Sequence, residues 1–327
     1  MLTGHFDLSS TPRKDFLQAT IPVVKRWTIH QLTVSEQSEG LRLDQFLAAE
    51  IPDLSRGRAK KIIDLGGVHR SGRRTRSCSS AIRRGESIDV YLDHLSLDPF
   101  RFQTSDILYQ DKYLIVLNKP AGIDTQPTHA RYKGTIYEAL QVYLQDPQRP
   151  QQKPELGMVQ RLDRGTSGLM VFSTHPRSHR GLSRLFMEHR VEKRYLALVD
   201  GRPPHDTGEI RSLLARSRQQ NRVRSVQRGG KEAITRYRVT QHFVGASLVS
   251  IELLTGRSHQ IRAHMSELGC PLLGDSRYDG PTTAGGIDLA RPLLHAAELS
   301  FVHPVTADGL TFSLPMPDDM AGLIRIL

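Results

Sequence analysis

Apolar positions near the start of the chain recur first at the spacing of a helix and then at the spacing of a strand. Residues 42–49 place three apolar side chains on one helical face, which predicts a helix. A second helix is predicted over residues 55–65, because Ser55 suits the N-cap and two glycines follow the segment. Short strands are predicted at residues 28–34 and 86–92. The pattern therefore predicts a small α/β unit at this end of the chain.

Beyond residue 104 the apolar pattern alternates between strand and helix periods. Several predicted strands are neighbours along the chain, with no helix between them. This arrangement favours the α+β class, with a mixed and largely antiparallel central sheet. The predicted strands cover residues 107–109, 114–117, 169–172, 194–199 and 242–254, and the predicted helices cover residues 135–144, 177–188, 257–268 and 320–326.

The length of the chain, 327 residues, is enough for two domains with a sizeable core. Residues 1–27 are mixed in composition and predict a flexible tail. Residues 28–93 form the first predicted domain, and residues 94–104 form a polar linker that contains a proline. The second predicted domain takes the rest of the chain, residues 105–327.

Basic residues outnumber acidic residues. Lys and Arg total 45 against 34 Asp and Glu, which gives a net charge of +11 and a pI near 9.9. Such an excess indicates a polyanionic partner, most simply a nucleic acid. Charge alone does not separate RNA from DNA or from an anionic membrane.

The basic residues are concentrated in two segments. Residues 56–84 hold ten Lys or Arg opposed only by Asp64, which is too lopsided for an ordinary solvated face. Residues 211–238 hold nine, opposed only by Glu232, and residues 217–230 contain few apolar anchors. The second segment predicts a mobile basic loop that contacts the nucleic-acid partner. A merely solvated loop is the alternative.

Signals for a metal, a cofactor or a membrane are missing from the sequence. Cys78 and Cys270 lie far apart and form no metal pattern, which fits a reducing cytoplasm. His175 and His179 share helical spacing, but no acidic or thiol ligand completes a metal site. No apolar run approaches the ~18 residues of a membrane span, and the N-terminus lacks the apolar core of a secretory signal. We expect a cytoplasmic monomer with no metal, no cofactor and no membrane partner.

The candidate chemistry centres on residues 157–172, which read GMVQRLDRGTSGLMVF. Asp163 lies between Arg161 and Arg164, in a loop that leads into a short apolar strand. Nearby guanidinium groups keep a carboxylate ionised, and an ionised carboxylate can act as nucleophile or general base. The alternatives are a surface aspartate flanked by arginines and an aspartate that caps the loop. Two glycines in the loop allow a tight turn or the close approach of a ligand.

The run RLDRGTSGLMVF resembles the signature of the RluA family of RNA pseudouridine synthases. Three further segments match motifs of that family: DKYLIVLNKPAG at residues 111–122, KRYLALV at residues 193–199 and TGRSHQIRAH at residues 255–264. The one departure is Gln160, where the family often has histidine, and it bears on a local hydrogen bond or an RNA contact. The resemblance extends from about residue 40 to the C-terminus and implies the same α+β fold.

This resemblance implies a role for each matched residue. Asp163 is the catalytic carboxylate, Arg262 is its ion-pair partner, and Tyr195 packs on the target base. Ile261 forms a wall of the base pocket, and Arg161 holds the RNA or fills the space left by the flipped nucleotide. The pairing is physically reasonable, because a bidentate arginine keeps a buried carboxylate charged. A tyrosine ring can stack on an extruded base, and its hydroxyl can help to move a proton.

Residues 40–92 also resemble the small RNA-binding domain shared with ribosomal protein S-four, through the runs RLDQFLA, LSRGRAKKII, GGV and RRGESIDV. In that family two helices and a turn bind structured RNA through its phosphates, which positions the RNA without reading its sequence. The resemblance to the RluA family implies that Arg257 serves either the loop or the RNA backbone. The substrate-binding residues expected from the second resemblance are Arg56, Arg58, Lys60 and Lys61.

Two functional hypotheses follow. The first is an enzyme that flips a uridine out of RNA and isomerises it to pseudouridine without a cofactor, since nothing is oxidised and no group leaves the RNA. Asp163 attacks either the ribose or the base. The second is a non-catalytic RNA-binding or ribosome-assembly protein built on an inactive synthase. The presence of Asp163, Tyr195 and Arg262 favours the enzyme, and the two modules together favour large-subunit ribosomal RNA over transfer RNA as substrate.

Overall fold

A computed structural model of the protein describes residues 28–217 and 222–327. The tail predicted over residues 1–27 lies outside the described residues. The N-terminal unit consists of β1 (Thr28–Thr33), α1 (Leu43–Glu50), α2 (Arg56–Leu65), β2 (Val68–Arg70), β3 (Arg73–Thr75) and β4 (Ser87–Leu92). Its four strands form an antiparallel sheet in the order β1-β4-β2-β3.

Both predicted helices of this unit are present, and their ends follow the sequence signals. Ser55 Oγ accepts a hydrogen bond from the Arg58 amide at 3.2 Å. Gly66 ends α2 in the left-handed region, at φ 93°, which favours glycine. The apolar faces of the two helices share one core with the sheet, which contains Leu43, Phe46, Leu47, Ile62, Ile63, Val68, Ile88 and Val90.

A second sheet of eleven strands dominates the rest of the chain. Its strands are β5 (Ile107–Gln110), β6 (Leu114–Lys119), β7 (Gly157–Met158), β8 (Ser167–Ser173), β9 (Glu192–Asp200), β10 (Thr207–Ser217), β11 (Arg222–Val226), β12 (Lys231–Phe243), β13 (Ala246–Leu253), β16 (Leu294–Val302) and β17 (Gly309–Ser313), while β14 (Thr283–Ala284) and β15 (Ile287–Asp288) form a separate hairpin.

The order along the large sheet is β11-β10-β12-β13-β9-β16-β8-β6-β5, with β17 paired to β16 and β7 paired to β8. Every pairing is antiparallel except that of β8 with β16, which is parallel. The sheet is therefore mixed and largely antiparallel, and the predicted α+β class is confirmed.

Helices cover both faces of this sheet. They are α3 (Ile136–Tyr143), α4 (Pro176–Met187), α5 (Gln260–Glu267) and α6 (Asp318–Ile324). Alternate residues of β6 point into different cores: Ile115 packs with α3 and α5, whereas Val116 packs with α4. Burial on both faces explains why β6 and β8 read as continuous apolar runs. No helix in the described part of the chain has the length and apolarity to cross a membrane.

The prediction of a mobile loop over residues 217–230 is wrong for the part that the structure describes. Arg222–Val226 forms β11, paired antiparallel with β10, while residues 218–221 lie outside the described residues. Val223 is only 8% exposed and packs with Tyr278 in a small apolar cluster. Exposed charges alternate with buried residues in β11 and β12, and this abundance of charge concealed the strand period.

Two other predicted elements have different limits in the structure. The segment 242–254, predicted as one strand, contains the end of β12, a turn and all of β13. The helix predicted from residue 257 begins at Gln260, because His259 has left-handed backbone at φ 52° and interrupts the helical path. These differences matter because residues 255–259 now form a turn at the edge of the candidate site.

The N-terminal unit is fixed to the large sheet by residues 128–133. Arg131 makes two hydrogen bonds to Asp93, at 2.7 and 3.0 Å, and both side chains are almost fully buried. The backbone amides of Tyr132 and Lys133 donate to the Leu65 carbonyl at the end of α2, at 2.6 and 3.1 Å. A buried two-bond ion pair together with backbone hydrogen bonds resists reorientation of the two parts.

Candidate active site

Asp163 lies in the loop between β7 and β8, and this loop is held from below by Lys119. Lys119 is fully buried, and its Nζ donates to the carbonyl oxygens of Pro120, Arg164 and Thr166 at 2.9, 3.3 and 2.8 Å. Burial lowers the pKa of Lys119 to about 7, against the opposing effect of nearby Asp124 and Asp163. Two carbonyls of the signature loop are thus tied to one side chain from the neighbouring motif.

The second glycine of the loop serves the sheet and not a ligand. Gly168 has φ 115°, and a Cβ at this position would overlap the backbone of Ala296 in β16. The adjacent Ser167 Oγ lies 2.9 Å from His295 Nδ1, also on β16. The glycine therefore permits the parallel contact between β8 and β16 that anchors the end of the loop.

The structure brings Arg262 to Asp163. Arg262 Nη1 donates to Asp163 Oδ2 at 3.0 Å. The same guanidinium group makes two shorter bonds to Asp275, at 2.6 and 2.7 Å, and Asp275 is only 1% exposed. Arg262 therefore bridges two carboxylates, whereas the sequence prediction gave it only Asp163. Asp163 keeps 30% of its side chain exposed, so Asp275 is the more deeply buried partner.

Electrostatics fix the protonation of the basic and phenolic groups. Burial lowers the pKa of Arg262, but the bonds and charges of Asp275 and Asp163 raise it more, so its pKa lies above the ordinary arginine value. Burial, and then the charge of Asp163, raises the pKa of Tyr195 above its usual range. Tyr195 therefore stays protonated, and its hydroxyl is a proton donor and not a phenolate base.

The other residues of the third motif are placed by β12 and by the apolar core. Gln260 Nε2 donates to the Ile234 carbonyl at 3.0 Å and faces Thr235 Oγ1 at 2.9 Å, which ties the start of α5 to β12. Arg257 Nε donates to the carbonyl of Glu232 at 2.8 Å, so this side chain braces the turn. Ile261 is 3% exposed and belongs to the same apolar cluster as Tyr195.

Predicted RNA contacts lie on two parts of the molecule. Arg161 is exposed beside Asp163. Arg56, Arg58, Lys60 and Lys61 are exposed on α2, which belongs to the N-terminal unit and not to the sheet that carries Asp163. Two of them, Arg56 and Lys60, face the fully buried Asp44 at 3.3 and 3.8 Å, so part of their charge is compensated by an acid outside the segment counted above.

Three residues beside Asp163 were missed from the sequence. They are Asp275, His259 and Tyr278, and His259 Nε2 lies 3.7 Å from Asp163 Oδ2. Burial lowers the pKa of His259 to about 4, although Asp163 opposes this shift. Asp275 and Tyr278 belong to the segment GDSRYDG, in which three charged residues lie between two glycines.

Metal ligation has no support among the described residues. No group of three or more His, Cys, Asp or Glu side chains there could hold an ion. His175 Nδ1 accepts from the Arg177 amide at 3.1 Å and caps α4, while His179 Nδ1 lies 3.1 Å from Ser173 Oγ. The helical spacing of these two histidines therefore has a structural explanation.

Comparison with known proteins identifies the class of enzyme that this chain resembles. The sequence profile described as RNA pseudouridylate synthase matches residues 113–267. A ribosomal large subunit pseudouridine synthase D of Zymomonas mobilis is 36% identical over 315 residues, covering 91% of this chain and 97% of that protein. An uncharacterized RNA pseudouridine synthase of Bacillus subtilis, YlyB, is 32% identical, covering 90% of this chain and 97% of that protein.

A solved structure leads to the same class. Human RNA Pseudouridylate Synthase Domain Containing 4 has a TM-score of 0.57 and 25% identity, over 68% of this chain and 93% of that chain. The fold, the signature loop and these likenesses define an enzyme of the RNA pseudouridine synthase class. Within that class, the chain belongs to the RluA family.

Proposed function

We propose that this protein isomerises uridine to pseudouridine in large-subunit ribosomal RNA, with Asp163 as the nucleophile. The observation that carries the proposal is the Asp163 carboxylate, 30% exposed and held by Arg262 at 3.0 Å, near the buried Tyr195. The substrate class is supported by relatives named ribosomal large subunit pseudouridine synthase D, which are 34–36% identical to this chain.

The reaction requires an extruded uridine, because the glycosidic bond is not accessible inside a helix. Asp163 attacks the ribose or the base, the bond between N1 and C1′ breaks, and the ring turns. The bond to Asp163 breaks again before the product leaves, which regenerates the carboxylate. A bond forms between C5 and C1′, C5 loses its proton, and N1 gains one. Arg262 donates a hydrogen bond to the carboxylate at 3.0 Å, and Tyr195 offers a flat ring for the base. No atoms are gained or lost, so the chemistry calls for no cofactor.

The proposal assigns RNA binding to two surfaces. Exposed Arg58 and Lys61 on α2 supply phosphate contacts that position the RNA, and the basic strands β10 and β11 supply others nearer the large sheet. Phosphate contacts of this kind add affinity without reading bases.

We also propose that residues 28–93 are an S-four-like domain, and that the protein acts as a monomer in the cytoplasm, where ribosomal RNA is available. Light scattering of the purified protein tests the monomer.

The test uses unmodified transcripts of large-subunit ribosomal RNA and of transfer RNA. Wild type should form pseudouridine in the ribosomal transcript, whereas Asp163→Asn and Asp163→Ala should bind it equally well and form none. Urea unfolding checks that both variants remain folded. Appreciable turnover by either variant would refute Asp163 as nucleophile. Pseudouridine in the transfer RNA alone would reassign the substrate.

A further inference from the structure

The two oxygens of the Asp163 carboxylate have different surroundings. Oδ2 accepts a hydrogen bond from Arg262 Nη1 at 3.0 Å and faces His259 Nε2 at 3.7 Å. Oδ1 makes no hydrogen bond with any residue that the structure describes. One oxygen is therefore held by the protein, whereas the other has no hydrogen-bond partner among the described residues of this partly exposed side chain.

The tautomer of His259 follows from its neighbour Tyr278. The backbone N–H of Val223 donates to the Tyr278 hydroxyl oxygen at 2.9 Å, which leaves the hydroxyl proton available for another acceptor. His259 Nδ1 lies 2.9 Å from that hydroxyl, and the hydroxyl proton left free by Val223 favours Nδ1 as its acceptor. With Nδ1 as acceptor, the ring proton of the neutral imidazole sits on Nε2 and faces Asp163.

Backbone and packing hold the His259 ring in this position. Its φ of 52° lies in the left-handed region, which non-glycine residues seldom adopt and which clusters at functional sites. The ring meets Tyr278 edge to face, with centroids 5.7 Å apart. Burial and the charges of Arg262 and Arg277 keep His259 neutral against the opposing charges of Asp163 and Asp275. A neutral donor can orient a carboxylate without adding a second cation.

We propose that His259 is a positioning residue which, together with Arg262, fixes Oδ2 of Asp163 and leaves Oδ1 as the oxygen that attacks. The distance of 3.7 Å in the free protein shortens to a hydrogen bond when the uridine fills the site, as catalytic bonds commonly do. This inference rests on the proposed role of Asp163 as nucleophile.

The series of contacts that positions Asp163, from Val223 through Tyr278 to His259, begins in a basic strand. Val223 lies in β11, and its neighbour Arg222 makes two bonds to Asp279, at 2.8 and 2.9 Å, directly after Tyr278. Strand β11 therefore holds Tyr278 through both its hydroxyl and the next residue. RNA bound to the basic strands would restrain the same tyrosine that sets the His259 tautomer.

Substitutions at His259 can distinguish the effect of losing the imidazole ring from the effect of disturbing the left-handed backbone. Asparagine tolerates left-handed backbone, so His259→Asn keeps the turn but is too short to reach Asp163. Glutamine places an amide N–H near the position of Nε2, so His259→Gln restores the donor. We expect the single-turnover rate of His259→Asn to fall on the order of 10²-fold, the effect of a misplaced reacting group. His259→Gln should recover about tenfold of this loss, since it replaces the missing donor.

A double-variant cycle tests the link to Tyr278. Tyr278→Phe keeps the ring against Arg262 but loses the hydroxyl. In the wild-type background it should lower the single-turnover rate. In the His259→Asn background it should have no further effect on that rate. RNA affinity, measured for each variant with Asp163→Asn added, should stay unchanged. Three results would overturn the inference: wild-type rate in His259→Asn, equal loss in the asparagine and glutamine variants, or additive effects of Tyr278→Phe. The proposed function fails on other observations, namely no product from wild type or turnover by Asp163→Asn, and either would remove this inference too.

Discussion

Arg262 joins two carboxylates through one guanidinium group. The more deeply buried carboxylate determines how much folding stability is lost when the arginine is removed. Asp275 is 1% exposed and takes two bonds, whereas Asp163 is 30% exposed and takes one. Loss of the arginine would leave Asp275 as an unpaired buried charge, while Asp163 could still reach water. Stability and activity therefore depend on Arg262 through different partners.

Arg262→Ala should lower the free energy of unfolding by about 3–5 kcal/mol, the usual cost of breaking a buried pair. Adding Asp275→Asn removes the orphaned charge, so the double variant should regain part of that stability in urea unfolding. Pseudouridine formation should remain absent in both variants, because Asp163 has lost its cation. A double variant no more stable than the single one would show that Asp275 is not the destabilising charge.

His295 makes stability depend on pH. Burial, and then the charge of Arg291, lowers its pKa to about 4 from the ordinary 6.5. Between these values the unfolded chain binds a proton that the folded chain refuses, so the free energy of unfolding falls as pH drops from 6.5 toward 4. The loss from this residue reaches about 3 kcal/mol, at 1.36 kcal/mol for each unit of pKa.

The measurement is urea unfolding across this pH range. His295→Gln removes the titrating group, so its unfolding free energy should change less with pH than that of wild type. His205→Gln is the control, because that side chain is exposed and its substitution should leave the pH dependence unaltered. Equal slopes for wild type and His295→Gln would contradict the prediction.

Short motifs predicted the residues of the site better than their partners. Asp163, Tyr195 and Arg262 each lie in a run whose residue types are distinctive together, and the structure brings Asp163 and Arg262 into contact. His259 lies in one of these runs without having been given a role, and Asp275 lies outside them. Their importance comes from a turn and a two-carboxylate arrangement that are visible only when distant segments meet.

At the level of elements, the parallel pairing of β8 and β16 supports the signature loop. Gly168 pairs with Ala296, and His295 reaches Ser167, at the point where the loop enters the sheet. The sequence left two explanations for the loop glycines, a tight turn or the close approach of a ligand. At Gly168 the approaching group is the backbone of β16, and only the three-dimensional fold reveals that neighbour.

Gly168→Ala should destabilise the protein by about 3 kcal/mol, from left-handed strain and from overlap with Ala296. Gly245→Ala is a matched control, since Gly245 also has positive φ but would place its Cβ in open space. That variant should lose about 1 kcal/mol from backbone strain alone. Thermal and urea unfolding compare the two, and similar losses would exclude the overlap with β16 as the cause.

Elements with clear apolar faces were predicted from sequence, whereas long charged strands were not. α1, α2, α3 and α4 lie within a residue or two of their predicted limits. β10 and most of β12 were not predicted, because several of their exposed positions carry arginines, and β11 lies in the segment that was predicted as a loop. In a half-exposed strand the charges occupy the outer positions and the apolar residues alternate with them.

For the whole molecule, the N-terminal unit and the large sheet act as one RNA-binding body in the proposed function. The expected contacts on α2 are partly engaged by protein acids, since Asp44 faces Arg56 and Lys60. Arg58 and Lys61 are the better test, because the only acid that faces Lys61 in the described chain, Asp98, is itself exposed.

Arg58→Ala with Lys61→Ala should weaken RNA binding and reduce its dependence on salt. Each lost phosphate contact lowers the slope of log affinity against log salt by about 0.7–0.9, so the pair should lower it by roughly 1.5. Replacement of Arg177 and Arg180, exposed on α4, is the charge-matched control and should leave the slope intact. Equal slopes for the two double variants would argue against α2 as the RNA-binding surface.

The buried pair of Arg131 with Asp93, and the bonds from residues 132 and 133 to Leu65, have a consequence for target choice. These bonds fix the distance between α2 and Asp163. The protein would therefore measure the distance along the RNA between a bound phosphate group and the target uridine. With α2 gripping phosphates as proposed, a uridine is selected by its distance from a structured part of the RNA. Transcripts of unrelated sequence but equal spacing would then be modified alike, and insertion of a single base pair would move the modification to another nucleotide.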